Sequence, residues 1–235
     1  MRPRSVSHSP RTGSTGGPAS GKARTLGFLL PCILLLAACG GNASQQQVKD
    51  RYGRIRAVVD RMDGMKDGAV RFYAPDGRIT TTGRYTQDSR DGAWVTTGPA
   101  GDTLSIVTFR KGIKQGWQAY WAPGGQLLRV EQFEDGKPHG PLYRFFADGS
   151  PRQVTWYKHG VPNGTYMEWY KVEPTSIALT WGQFRNGERT GKWSWYYGNG
   201  RLKRQGTYTA GKQTGLWRSW TAQGTLEHAV DHGSE

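Results

Sequence analysis

Cysteine is nearly absent: Cys32 and Cys39 are the only two in 235 residues, so everything beyond Cys39 must fold without a disulfide. Long apolar runs are missing too. The run from Leu26 to Ala38 spans 13 residues and contains Pro31, whereas a membrane-crossing helix needs about 20 uninterrupted ones. Acidic residues number 18 against 32 Lys and Arg, and the first 38 residues hold none. The chain contains no G-x-S-x-G, no phosphate-cradling Walker A loop, no H-E-x-x-H and no paired cysteines. Enzyme classes built on those motifs are thereby left without support, and no catalytic residue is assigned.

The first 38 residues carry Arg2, Arg4, Arg11, Lys22 and Arg24 ahead of the apolar run, which predicts an export signal over 1–38. Its end, Leu36-Ala37-Ala38-Cys39-Gly40, resembles the bacterial lipobox. The resemblance implies cleavage before Cys39, lipid attachment to that residue and membrane anchoring through the lipid. Gly40 in place of an aspartate implies the outer membrane, facing the periplasm. An ordinary secretory signal with a chance cysteine is the alternative. Residues 39–50 are small and polar and are expected to form a flexible tether, reaching roughly 35 to 40 Å if extended.

From residue 68 onward the chain repeats. Gly68, Gly92, Gly116, Gly140, Gly164, Gly191 and Gly215 recur every 24 residues, with one interval of 27. Counting each as position 1, position 10 is Gly in six units (Gly77, Gly101, Gly125, Gly149, Gly200, Gly224) and position 21 in five (Gly112, Gly136, Gly160, Gly187, Gly211). Asp76-Gly77, Asp135-Gly136, Asp148-Gly149, Asn186-Gly187 and Asn199-Gly200 all read as two-residue hairpin turns with φ > 0 at both residues. Trp, Tyr, Phe, Thr and Val fill the segments between, as suits short strands.

A two-residue turn at positions 9 and 10 places position 3 opposite position 16, and position 1 opposite position 18. Rings then face glycines: Tyr166 with Gly182, Trp193 with Gly206, and Tyr208 with Gly191. Centring the second turn on positions 21 and 22 also sets Tyr208 opposite Gly215 and Trp217 opposite Gly206. A ring over a strand glycine covers bare backbone. The expected fold is all-β: an elongated, single-layer antiparallel meander of 24-residue β-hairpin repeats, seven of them over 68–235. Residues 51–67 fall partly in register as a degenerate capping unit, and a short helix over Arg54–Met62 competes with that reading.

The run G-x-W-x-W-Y-x-x-x-G-x-L at Gly191–Leu202, followed by Y-T-x-G-K-x-x-G at Tyr208–Gly215, resembles the variant MORN repeat of bacterial proteins, antitoxin-like ones among them. The resemblance covers about 68–226. It implies a scaffold that binds proteins or lipids and carries no shared catalytic residues.

Two further features bear on function. Subtracting the leader's five basic residues from the net +14 leaves +9. In an exported protein that charge reads either as attraction to anionic envelope material rather than nucleic acid, or as a basic, solvated surface with no dedicated partner. Position 6 is aromatic in six units, Tyr73, Trp121, Phe145, Trp169, Tyr196 and Trp220. By alternation this row lies on the face opposite positions 3 and 18. It reads either as a partner-binding stripe or as packing within a curled sheet. His228 and His232, four apart on a strand, stand roughly 13 Å apart and cannot share an ion. His139 and His159 fall in different turns and repeat positions. No metal, cofactor or small-molecule substrate is expected. The expected role is a non-catalytic scaffold for a protein or envelope polymer, with toxin neutralisation as the alternative.

Overall fold

The computed structural model describes residues 41–172 and 176–233; Cys39, the leader and residues 173–175 lie outside them. The strands β1 (Ala43–Lys49), β2 (Ile55–Met62), β3 (Met65–Tyr73), β4 (Ile79–Thr86), β5 (Ser89–Thr97) and β6 (Thr103–Arg110) come first. Next come β7 (Ile113–Lys114), β8 (Gly116–Trp121), β9 (Leu127–Glu134), β10 (Lys137–Phe145), β11 (Pro151–Lys158) and β12 (Val161–Val172). The last five are β13 (Ser176–Arg185), β14 (Glu188–Tyr196), β15 (Leu202–Thr209), β16 (Lys212–Trp220) and β17 (Leu226–Asp231). Each pairs antiparallel with its chain neighbours, β7 and β8 together completing one strand beside β6. The result is one open, all-β meander, with no helix among the described residues.

Across the first turn of the units the register follows the expected columns. Trp193 pairs with Gly206 and Gly191 with Tyr208, Tyr166 with Gly182, and Gly68 with Tyr85. Across the second turn it does not: the turn is centred on positions 20 and 21 rather than 21 and 22, so Tyr208 pairs with Gln213 and not with Gly215. The two turns of each unit also differ in kind. At positions 20 and 21 both residues have positive φ, as at Asp135 (49°) and Gly136 (77°) or Asn186 (50°) and Gly187 (87°), which makes the expected two-residue turn.

At positions 9 and 10 only the position-10 glycine has positive φ, as Gly77 does at 85°, except in the third unit, where Gly124 and Gly125 both do, at 91° and 87°. Gly77 N–H donates to Ala74 O at 3.0 Å and Ala74 N–H to Arg78 O at 2.8 Å. This is a three-residue loop, Pro75-Asp76-Gly77, formed by a type I turn and one left-handed residue. Pro75 and Pro99 occupy the position where a type I turn favours proline, and Pro123 the same position of a type II turn, with Gly124 left-handed after it. Asp76, Asp148 and Asn199 do not enter the left-handed region. Their Oδ1 atoms accept the N–H two residues on, each at 3.0 Å, from Arg78, Ser150 and Arg201.

The expected tether is corrected over most of its length. Ala43–Lys49 forms β1 and pairs with β2 from Ala43↔Met62 to Lys49↔Ile55. Its turn repeats the three-residue form, with Asp50 N–H donating to Arg54 O and Gly53 N–H to Asp50 O, both at 2.9 Å. The capping segment is therefore the second half of an eighth hairpin, and Arg54–Met62 contributes a strand rather than a helix. Polarity misled here because β1 is exposed at every residue and has no apolar face to reveal it. At the other end β17 is equally exposed along its length.

The core sits in two separate clusters. One joins Ala57, Val59, Val70 and Trp94 with Phe72, Tyr85 and Phe109. The other joins Trp193, Tyr208 and Trp217 with Tyr166, Phe184 and Trp195. Between them the position-3 residue is Gln118 or Leu142 rather than an aromatic.

Candidate binding surface

One face of the sheet is built from a repeating three-part unit. A position-3 tryptophan lies over the position-16 glycine of the strand before it: Trp94 over Gly83, Trp193 over Gly182 and Trp217 over Gly206. A β-carbon added to those glycines would come within 2.4, 2.2 and 2.0 Å of the indole. Each indole N–H donates to the carbonyl of the residue after the glycine, Arg84, Gln183 and Thr207, all at 3.2 Å. Rings at position 18 flank the indole edge-on, as Phe184 and Tyr208 flank Trp193 at 5.3 and 5.9 Å between centroids. Arg90 and Arg189 lie over Trp94 and Trp193, each guanidinium 4.6 Å from the ring centroid.

Four expected ring-over-glycine contacts are replaced by this arrangement. Tyr166 pairs with Gly182 across the strands, but that glycine is covered by Trp193. Trp193 pairs with Gly206 across the strands, but its ring leans the other way and Gly206 is covered by Trp217. Gly191 and Gly215 have nothing within 4 Å of an added β-carbon, so Tyr208 covers neither. Their φ values of 63° and 62° supply the reason for glycine. Each sits beside the register shift that follows the two-residue turn, where the backbone turns left-handed.

Gln118 shows what fills the slot when the glycine is missing. Val107 stands opposite Trp94 in β6, and the fully buried Gln118 takes the indole's place. Its Nε2 donates to Thr108 O at 3.3 Å while its Oε1 accepts from Thr108 N–H at 2.8 Å. A side chain without an aromatic ring thus satisfies the same backbone carbonyl.

The position-6 residue closes its hairpin beside the three-residue loop except at Trp169, where β12 and β13 pair on to Val172↔Ser176. Tyr73 pairs with Ile79, Trp121 with Leu127, Phe145 with Pro151, Trp169 with Leu179, Tyr196 with Leu202 and Trp220 with Leu226. All six rings are half-buried. They form aromatic–aliphatic pairs, and the row includes the exposed Ile79 and Leu226. Alternation sets the row on the face opposite the indole slots. Lys171, near Trp169, is committed elsewhere: it pairs with Asp148 and lies 4.9 Å from the Phe146 ring centroid. Its ammonium, together with the Ser150 hydroxyl and amide, holds the Asp148 carboxyl well below the usual carboxylate range.

On β12 two phenols converge on one carboxylate. Tyr166 and Tyr170 both donate to Glu168 Oε2. Burial first, and then that carboxylate, push the Tyr166 hydroxyl well above its ordinary range.

The structure also joins residues that repeat position had kept apart. His139, the last residue of one unit, and His159, in the second turn of the next, have ring centroids 4.8 Å apart. No sequence motif announces the pair. The signal lies in the repeat itself: position 24 of one unit meets position 20 of the next, as Asn163 and Asn186 do through a 3.3 Å hydrogen bond.

Residues 189–210 match the family model described as the MORN repeat variant. Comparison with curated proteins finds no match.

Proposed function

For a variant MORN-repeat protein with this sheet, we propose a non-catalytic binding scaffold, held at the bacterial envelope by lipid on Cys39, that captures a protein or envelope polymer. The observation that carries the binding role is the position-6 stripe, six half-buried rings each beside an aliphatic residue or proline. The rings on the opposite face fill glycine slots and contact one another, so their apolar area is already used in holding the sheet. The position-6 rings have no such slot. Aromatic side chains on a rigid frame dominate binding energy where they occur at interfaces. Anchoring rests on Leu36-Ala37-Ala38-Cys39, and the net charge beyond the leader favours approach to anionic envelope surfaces at low ionic strength.

Crosslinking in intact cells followed by membrane fractionation tests both parts. Cys39→Ser is expected to leave the protein unprocessed or release it from the membrane fraction. The double substitution Trp121→Ala and Trp169→Ala is expected to abolish the crosslinked species while the urea midpoint stays close to the parent's. Unaltered capture by the folded double variant would overturn the stripe as the binding site, and a large loss of stability would assign it to packing.

A further inference from the structure

Glu134, His139 and His159 each offer a metal-ligating atom, and the three atoms lie within 4.8 Å of one another. Their meeting is a consequence of the fold. Glu134 and His139 flank the Asp135-Gly136 turn between β9 and β10, and His159 occupies the turn between β11 and β12. Gly160 N–H donates to Pro138 O at 2.7 Å, which ties the second turn to the residue before His139. The same bond recurs along this edge, as from Gly136 to Lys114 O at 3.0 Å and from Gly187 to Pro162 O at 2.8 Å. The edge is thus a stack of turns whose side chains meet in a fixed order. His159 holds φ at 49°, a conformation fixed by its turn, so its imidazole is presented from a constrained backbone.

The local chemistry is incomplete as it stands. Glu134 Oε2 lies 2.9 Å from His139 Nδ1. The pair nevertheless lacks hydrogen-bond geometry, and Nδ1 is shielded from solvent with no partner. A shielded imidazole nitrogen close to a carboxylate and a second imidazole is a donor set aimed at a common point. In a tetrahedral sphere with bonds of about 2.0 to 2.1 Å, ligand atoms stand roughly 3.3 Å apart. Rotation of the exposed Glu134 and His159 side chains supplies the small contraction required.

We propose that Glu134, His139 and His159 bind a zinc-class divalent cation, clipping two adjacent turns and leaving a fourth coordination position open. Two imidazoles and one carboxylate suit Zn²⁺, and Ni²⁺ and Cu²⁺ through the same donors. They do not suit Ca²⁺ or Mg²⁺, which take oxygen. The site lies between the two aromatic clusters, where no indole covers a strand glycine. Because the unfolded chain does not preform it, binding stabilises the folded state.

The test uses the untagged full-length chain and Zn²⁺ alone. Calorimetry is expected to show one site per chain, Co²⁺ substitution to give the visible absorption of a tetrahedral centre, and Zn²⁺ to raise the thermal midpoint. His159→Asn tolerates the left-handed turn, and Glu134→Gln alters an exposed side chain, so both variants fold. Each is expected to weaken Zn²⁺ binding at least about tenfold and to remove the midpoint shift. The double variant His228→Gln, His232→Gln is expected to bind as the parent does. Absence of Zn²⁺ binding by the parent would overturn the proposal and leave a histidine–glutamate contact that only supports the turn. Equal binding by parent and His159→Asn would also overturn it.

Discussion

A glycine in this sheet has one of two reasons to be there, and the reasons separate by residue. Gly206 has ordinary strand φ, but an added β-carbon would sit 2.0 Å from Trp217 Cδ2, inside the ring. Gly191 has open space around it and φ of 63°, so its constraint is backbone conformation alone. Gly206→Ala should therefore expel the Trp217 ring and cost about 3 kcal/mol or more, the scale of lost core aromatics. Gly191→Ala should cost only the left-handed penalty, about 1 to 2 kcal/mol. Urea midpoints of the two variants check the order, and a larger loss for Gly191→Ala would overturn the assignment of rings to glycines.

Hairpins are the elements, and their two turns obey different rules. The two-residue turn asks for two left-handed residues, and Asp135, Asn186 and Asp63 meet the demand with a side chain that tolerates it. Ala210 does not: it holds φ at 46° with no polar atom to compensate. Ala210→Asn should stabilise by about 0.5 to 1 kcal/mol, visible as a raised urea midpoint. Asn199→Gly, in the three-residue loop, should instead destabilise, because Asn199 is not left-handed and its Oδ1 accepts from Arg201 N–H. Repeat length and the register across the first turn were legible because glycine columns and ring columns constrain each other; the register across the second was not, because the shift beside Gly215 moves Tyr208 onto Gln213. The kind of the first turn was legible too, in Pro75, Pro99 and Pro123, although Asp-Gly alone pointed to a tighter form. The direction in which Trp193 leans was not, since pairing places Gly182 and Gly206 on either side of it and only packing chooses between them. The histidine pair escaped because histidine fills both positions at only one junction between units, and periodicity reveals only what recurs.

At the scale of the molecule, strands contact sequence neighbours, so stabilisation is local to each stretch of sheet. Two aromatic clusters hold β2–β6 and β12–β16. The strands between rely on Gln118, which is fully buried but meets its neighbours through hydrogen bonds, and on Leu142. Such a hydrogen-bonded replacement contributes about 1 kcal/mol net, whereas a buried ring removes roughly 150 to 250 Å² from water. Stability should consequently dip between the clusters and respond regionally to mutation. Trp217→Ala removes a side chain only 3% exposed, together with its contacts to Tyr208 and Trp195 at 5.0 and 5.8 Å. Amide hydrogen exchange should accelerate across β14–β17 in that variant, because their local opening loses on the order of 3 to 5 kcal/mol. Exchange in β3–β6 should remain at the parent's rate, since no contact of Trp217 reaches them through fewer than several intervening strands. Uniform acceleration along the whole sheet would mean that the meander unfolds as one cooperative unit and that the two clusters are energetically joined.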